Sequence, residues 1–297
     1  MTKNIFFILA GLLLVVIWYF ILPSIKKTYF KTTSKNTTTS DYEEYRQELL
    51  AANIKSVEDL ERLVTPLIKN ATSIVVQQAS TPPENSQLHS HFGGQPYFEL
   101  GETWPKAKNG NYLNFIFQIY NNDSINIPKN IKLIQFFYGW EEFPWDTKHD
   151  GWLVKIYESV KPEKVVKINP PEELEVPKYC EIVFKSKLSL PDWSGIDLYN
   201  DKAQKLSCVL NEDQPWENYE TVVEKLTGGD NFESQIGGYP QWVQSESTPK
   251  NNRGEQMTFL LQIDSEENAD IIWGDDGYIY IFYDDLDKEP AFTLQCF

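Results

Sequence analysis

Apolar and polar positions divide this chain into three regimes. From Ile5 to Leu22, "IFFILAGLLLVVIWYFIL" runs for eighteen residues without a charge. As a helix rising ~1.5 Å per residue it would span roughly 27 Å, about one hydrocarbon core. Thr28 to Thr39 then turns to Lys, Thr, Ser and Asn without periodicity, the pattern of a solvated tether. Ser40 with Glu43 has the spacing of a helix capping box, and Tyr42, Tyr45, Leu49, Leu50 and then Ile54 to Ile68 continue at helical spacing. The pattern predicts two short helices, broken around Asn53 to Ser56 and stopped or kinked at Pro66. Beyond them strand signals dominate. "SIVVQQA", "LNFIFQIY", "IKLIQFFYGW", "GWLVKIYESV", "CEIVFKSKL", "QMTFLLQI", "ADIIWGDDGYIYIFYDD" and "AFTLQCF" are brief apolar or alternating runs separated by Pro, Gly, Asn and Asp. One more helix is expected over "NYETVVEKL", ended by Gly228 and Gly229.

Ile5 to Leu22 is read as a transmembrane helix rather than a signal peptide. Trp18, Tyr19 and Phe20 close it at an interface-like position, Pro23 follows, and no small-x-small cleavage site appears. Lys26, Lys27, Lys31 and Lys35 outweigh Lys3 on the other flank, so the positive-inside rule places the following domain in the cytoplasm of a single-pass cell-membrane protein. The expected organisation is an anchor over 1–25, a polar tether over 26–40 and one domain over 41–297.

Within that domain the chain repeats itself. Residues 92 to 119 laid without a gap over 236 to 263 pair Gly93 with Gly237, Gly94 with Gly238, Pro96 with Pro240, Gly110 with Gly254, Phe115 with Phe259, Gln118 with Gln262 and Ile119 with Ile263. With one residue inserted, "IQFFY" then matches "IYIFY". This predicts an α+β, mainly β, internally duplicated two-sheet domain, with pseudo-repeats at about 73–145 and 230–297 and a divergent middle. Paired glycines and a following proline suit a tight turn or a close strand approach, and the matched glutamines suit buried backbone partners better than a ligand.

Charge narrows the partner classes. Acidic residues outnumber basic ones by 43 to 27, and the five lysines of the first 35 residues leave 22 basic against 43 acidic residues downstream, about −21. Such a body repels phosphate backbones and fits a basic protein partner better than nucleic acid. Cys180, Cys208 and Cys296 lie far apart in odd number, as free thiols in a reducing compartment would, though one bridge stays open.

Motifs for chemistry are sparse. His89 and His91 would share one face of a strand, but no third ligand accompanies them, so no metal and no cofactor is expected. His149 and Asp150 could form an acid–base pair, yet no nucleophile motif stands with them. Asp275, Asp276, Asp284, Asp285 and Asp287 lack the distal acid of an EF-hand loop. Trp140, Trp145 and Trp152 sit in a loop-rich stretch and are the best candidates for exposed aromatics.

The segments carrying Gly93, Gly94, Pro96, Trp104-Pro105, Gln118, "QFFY", then Gly237, Gly238, Pro240, Gln262, Trp273-Gly274-Asp275, "IYIFY" and Gln295-Cys296 resemble the YwqG-like family of bacterial domains of unknown function. The resemblance covers roughly Ser73 to Phe297, is poor over about Asp146 to Trp216, and does not extend to the membrane segment. It implies a duplicated β-rich fold without established catalytic residues, and related domains occur in toxin and immunity loci. The resulting expectation is a membrane-anchored, non-catalytic protein-binding module, immunity-like toward a basic toxin. The alternatives are a hydrolase or small-ligand enzyme using His89, His91, His149 and Asp150 between the repeats, and an envelope carbohydrate-binding module of opposite topology.

Overall fold

The computed structural model describes residues 39–121, 125–229 and 233–297. The apolar segment Ile5 to Leu22 and the tether as far as residue 38 lie outside the described residues, and residues 39 and 40, expected to end the tether, already belong to a helix. Among the described residues no helix is long and apolar enough to cross a membrane.

Among the described residues, ten strands form one antiparallel, nearly closed, barrel-like sheet. In chain order they are β1 (Lys69–Ala79), β2 (His91–Phe92), β3 (Asn114–Tyr120), β4 (Leu133–Tyr138), β5 (Trp152–Tyr157), β6 (Cys180–Ser189), β7 (Gln235–Gly237), β8 (Thr258–Asp264), β9 (Tyr278–Asp284) and β10 (Glu289–Gln295). In space they run β10-β9-β8-β7-β1-β6-β2-β3-β4-β5. Reversing this order exchanges β1 with β6 and each of β2 to β5 with its counterpart among β7 to β10. The expected two sheets are therefore a single sheet with two matched halves. The long central pair makes it continuous: β1 follows β6 from Lys69↔Ser189 to Ala79↔Cys180 and also pairs with β7, while β6 pairs with β2. Each half thus borders the first strand of the other.

Side-chain alternation sends one face of all ten strands into a shared core, with Ile74, Phe92, Ile116, Phe136, Val154, Ile182, Ile236, Leu261, Ile281 and Phe292 among its members. On the outer face, Trp242, Tyr280 and Phe282 pack over one half, and Phe98, Trp104, Phe115 and Phe137 over the other. Covered on both sides, β4 and β9 are buried at every residue, which is why "LIQFFY" and "YIYIFYD" read as unbroken apolar runs. The apolar run read from Ala269 becomes a strand only at Tyr278, because Asp270, Gly274 and Asp276 take left-handed backbone conformations before it.

A helical layer covers one end. It comprises α1 (Thr39–Ala51), α2 (Val57–Val64), α3 (Ile196–Tyr199), α4 (Asp201–Leu210) and α5 (Pro215–Thr227), which bury Leu49, Leu60, Val64, Leu206, Tyr219 and Val222 together. The capping box expected at Ser40 does not start α1, whose first residue is Thr39. The reciprocal cap instead opens α2, where Ser56 and Asp59 satisfy each other's backbone N–H groups. The α1–α2 break falls where expected, with Asn53 at φ 54°. Gly228 ends α5 in the left-handed conformation, φ 85°.

Candidate functional site

The repeated residues build the same device in each half. Gly93 and Gly94 have φ of 55° and 66°, Gly237 and Gly238 of 67° and 74°, so the chain after β2 and after β7 turns back in a conformation that side chains resist. The returning loop is held by a buried glutamine. Tyr97 N donates to Gln118 Oε1 at 2.9 Å, and Gln241 N donates to Gln262 Oε1 at 2.8 Å. Gln118 Nε2 reaches Gln87 O and His89 O at 2.9 and 2.7 Å, while Gln262 Nε2 reaches Glu233 O at 2.9 Å. The neighbouring strand completes each clamp with different chemistry, Gln135 Nε2 donating to Tyr97 O at 2.8 Å and the Tyr280 hydroxyl to Gln241 O at 2.7 Å. Both halves also carry a β-bulge at the same offset, between Phe115 and Phe117 and between Phe259 and Leu261. Pro96 and Pro240 are buried in the clamped loops, and Trp104 Nε1 donates to Leu113 O at 2.8 Å. Except for Gln135 Oε1, which is buried without a hydrogen-bond partner, these side chains bond to the loops they clamp and present no chemistry outward.

The histidines are dispersed. His91 is buried on β2, with Nδ1 2.8 Å from Gly93 O and its ring against Tyr179 and Phe115. Gln235 holds the equivalent place, donating to Gly237 O at 3.2 Å. His149 is exposed at the far edge of the sheet, 2.9 Å from Asp146 Oδ1, and Asp150 accepts from Lys108 N at 2.7 Å instead of pairing with it. His91 is on β2, whereas His149 lies in the loop that joins β4 to β5, with β3 between β2 and β4 in sheet order. Among the described residues no group of three or more His, Cys, Asp or Glu side chains could hold a metal ion. The described cysteines are free, Cys180 and Cys208 buried and Cys296 half-buried.

Burial drives the His91 imidazole down to about 4 from 6.5, so it is neutral in the fold. The unfolded chain binds that proton more readily, and stability contributed at this site is lost as pH falls from about 6.5 to 4. His91→Gln, which installs the residue of the matched half, should fold and remove roughly 2–3 kcal/mol of that acid-side loss. Urea unfolding between pH 4 and 7 checks it.

The two edges of the sheet meet around the loop 139–151. Leu294 N donates to Trp145 O at 2.7 Å, Phe292 N to Thr147 Oγ1 at 3.1 Å, and the Trp152 and Phe292 rings lie 5.3 Å apart. Lys288 reaches Glu158 at 3.5 Å at the other end of the seam. Pro290 has no N–H, so the β10 edge is covered by side chains, a loop and a missing donor. Most of the expected exposed aromatics are found here. Trp140 and Trp145 are 37 % and 41 % exposed, Ile272 is 65 % exposed, and Trp152 is half-buried. Buried Trp273 underlies them, stacked on Trp140 at 5.4 Å and donating Nε1 to Asp264 O at 3.1 Å. Gly274, at φ 60°, lets this turn approach closely: a Cβ there would sit 2.9 Å from Cys296 Sγ and 3.9 Å from the Trp145 ring. Asp275 O accepts from Phe297 N at 3.2 Å.

The seam is strongly acidic. Residues 139–151 and 272–277 hold six Asp and Glu and a single lysine, Lys148, while earlier in the second loop Asp270 pairs with Lys178 at 2.5 Å and Asn268 donates to Val76 O on β1. Glu266 is held by the Ser234 hydroxyl, and burial raises its carboxyl to about 7. Because the native state keeps this proton, the stability cost of ionising it grows as pH rises from about 4.5 to 7. Glu266→Gln should therefore gain roughly 1–3 kcal/mol at pH 8 and almost nothing at about pH 4. Thermal unfolding at the two pH values reads this out. Ile272 and Glu266 carried no distinguishing signal in the sequence. Only the folded turn exposes the one and buries the other.

The fold and the site define a mainly β, barrel-like domain whose two matched halves close on an acidic, tryptophan-bearing seam. The chain belongs to the DUF1963 family, a domain of unknown function whose model matches residues 90–290. No curated protein matches it.

Proposed function

We propose that the chain is a YwqG-like member of its family, anchored in the cell membrane by Ile5 to Leu22, whose cytoplasmic domain binds a basic protein without catalysing a reaction. In its sharpest form the role is immunity-like, the partner being a basic toxin. The observation that carries this reading is the seam, where two tryptophans and an isoleucine are exposed on loop segments with six acidic residues and one basic. Aromatic anchors ringed by charge are the composition of a protein-binding surface, and a negative field speeds encounter with a positive partner. The matched clamps, each built on a buried glutamine and a glycine pair, support descent of the two halves from one duplicated unit.

Two reporters fused after Phe297, one active only in the cytoplasm and one only outside it, test the orientation. Cytoplasmic signal is expected. Signal from outside would remove the cytoplasmic role and favour interception of incoming proteins or envelope binding. The immunity-like role predicts that deleting the gene sensitises cells to a neighbouring basic toxin, and that Trp140→Ala with Trp145→Ala does the same with the protein still present. Unchanged resistance in both strains would sink it.

A further inference from the structure

Resting on the seam as a binding surface, we infer that it selects arginine over lysine: a guanidinium of the partner stacks on the exposed indoles and pairs with Asp275. Three observations converge. Trp140 and Trp145 offer exposed indole surface, held from beneath by Trp273 at 5.4 Å and by Phe143 at 5.3 Å, so little side-chain freedom remains to be lost on binding. Gly274 brings the Asp275 turn against the Trp145 ring. Asp275 itself is exposed, and its carboxylate has no ion-pair or hydrogen-bond partner among the described residues, unlike Asp146, which His149 engages.

A planar cation between an indole face and a carboxylate satisfies both at once. Guanidinium is weakly hydrated, stacks on aromatic faces and offers a two-pronged donor edge to a carboxylate, whereas ammonium is a strongly hydrated point charge. Net negative charge alone would attract both cations equally. The indole beside the unpaired acid is what separates them.

The test uses the full-length protein in detergent and three peptides of equal length, repeats of Arg-Ser-Leu, Lys-Ser-Leu and Glu-Ser-Leu, titrated by calorimetry at physiological ionic strength. The arginine peptide is expected to bind about tenfold tighter than the lysine peptide, the scale of one well-formed stacked and paired guanidinium. Asp275→Asn and Trp145→Ala should each bring that ratio toward one while leaving lysine-peptide affinity within about twofold. Equal affinity for the two basic peptides would overturn the arginine selection and leave the seam as a general cation-binding surface. Binding of neither, or equal binding of the acidic peptide, would overturn the seam as a basic-partner site as well.

Discussion

Gly93→Ala is expected to cost more than about 3 kcal/mol, enough to unfold much of the population of a domain of ordinary stability. Two terms add. Gly93 has φ 55°, a left-handed conformation that costs a residue with a Cβ roughly 1 kcal/mol or more. The added Cβ would also fall 2.3 Å from the carbonyl oxygens of both Pro177 and Lys178, and these are backbone atoms that cannot rotate away. Moving the 177–178 segment would strain the Gly94 N to Pro177 O bond of 3.1 Å and the neighbouring β2–β6 pairing. Gly254→Ala is the internal control. It has φ 81° but open space around the new methyl, so only the backbone term of about 1 kcal/mol remains. Urea midpoints of the two variants should differ clearly. Equal midpoints would mean that the Pro177–Lys178 crossing is not rigid.

Gln118→Leu is expected to be nearly as damaging, by roughly 3–5 kcal/mol, although the substitution preserves size and adds apolar surface to a buried position. The side-chain amide serves Tyr97 N, Gln87 O and His89 O, and Gln135 Nε2 lies 3.2 Å from its oxygen. Leucine would leave three backbone groups without those bonds, Tyr97 N in a buried place and the Gln87 and His89 carbonyls in part-buried ones, at about 1–3 kcal/mol for each group that water does not reach. Gln262→Leu releases two, Gln241 N and Glu233 O, and should cost less. Chemical denaturation of both variants gives the ordering. The reverse ordering would show that the two clamps are not equivalent in energy despite their matched geometry.

Much of this was legible in the residues because it is local. Strands β4 and β9 announced themselves as apolar runs, Gly228 marked the end of α5, and Gln118 with Gln262 stood at matching offsets before any contact was known. The single sheet was not legible. It depends on β1 and β6 lying side by side from Lys69↔Ser189 to Ala79↔Cys180, a pairing across more than a hundred residues that no local pattern encodes. Two- and three-residue strands such as β2 and β7 are too short to show a period. Helix α4 was missed because Asp201 to Leu210 mixes lysines and small residues with only a weak apolar stripe, and its stability comes from packing against α1, α2 and α5. At the seam, the exposure of Trp140 and Trp145 was anticipated from their loop-rich setting. Their approach to Trp273 and Gly274 depends on the two ends of the sheet meeting.

The seam as the binding surface is tested most directly by fluorine NMR of the full-length protein labelled with 5-fluorotryptophan, titrated with either basic peptide. Single Trp→Phe variants assign the resonances. If the account holds, the Trp140 and Trp145 signals shift first and saturate together, while those of buried Trp104 and Trp242 stay in place. Shifts confined to other tryptophans, or saturable binding that leaves Trp140 and Trp145 unmoved, would contradict it.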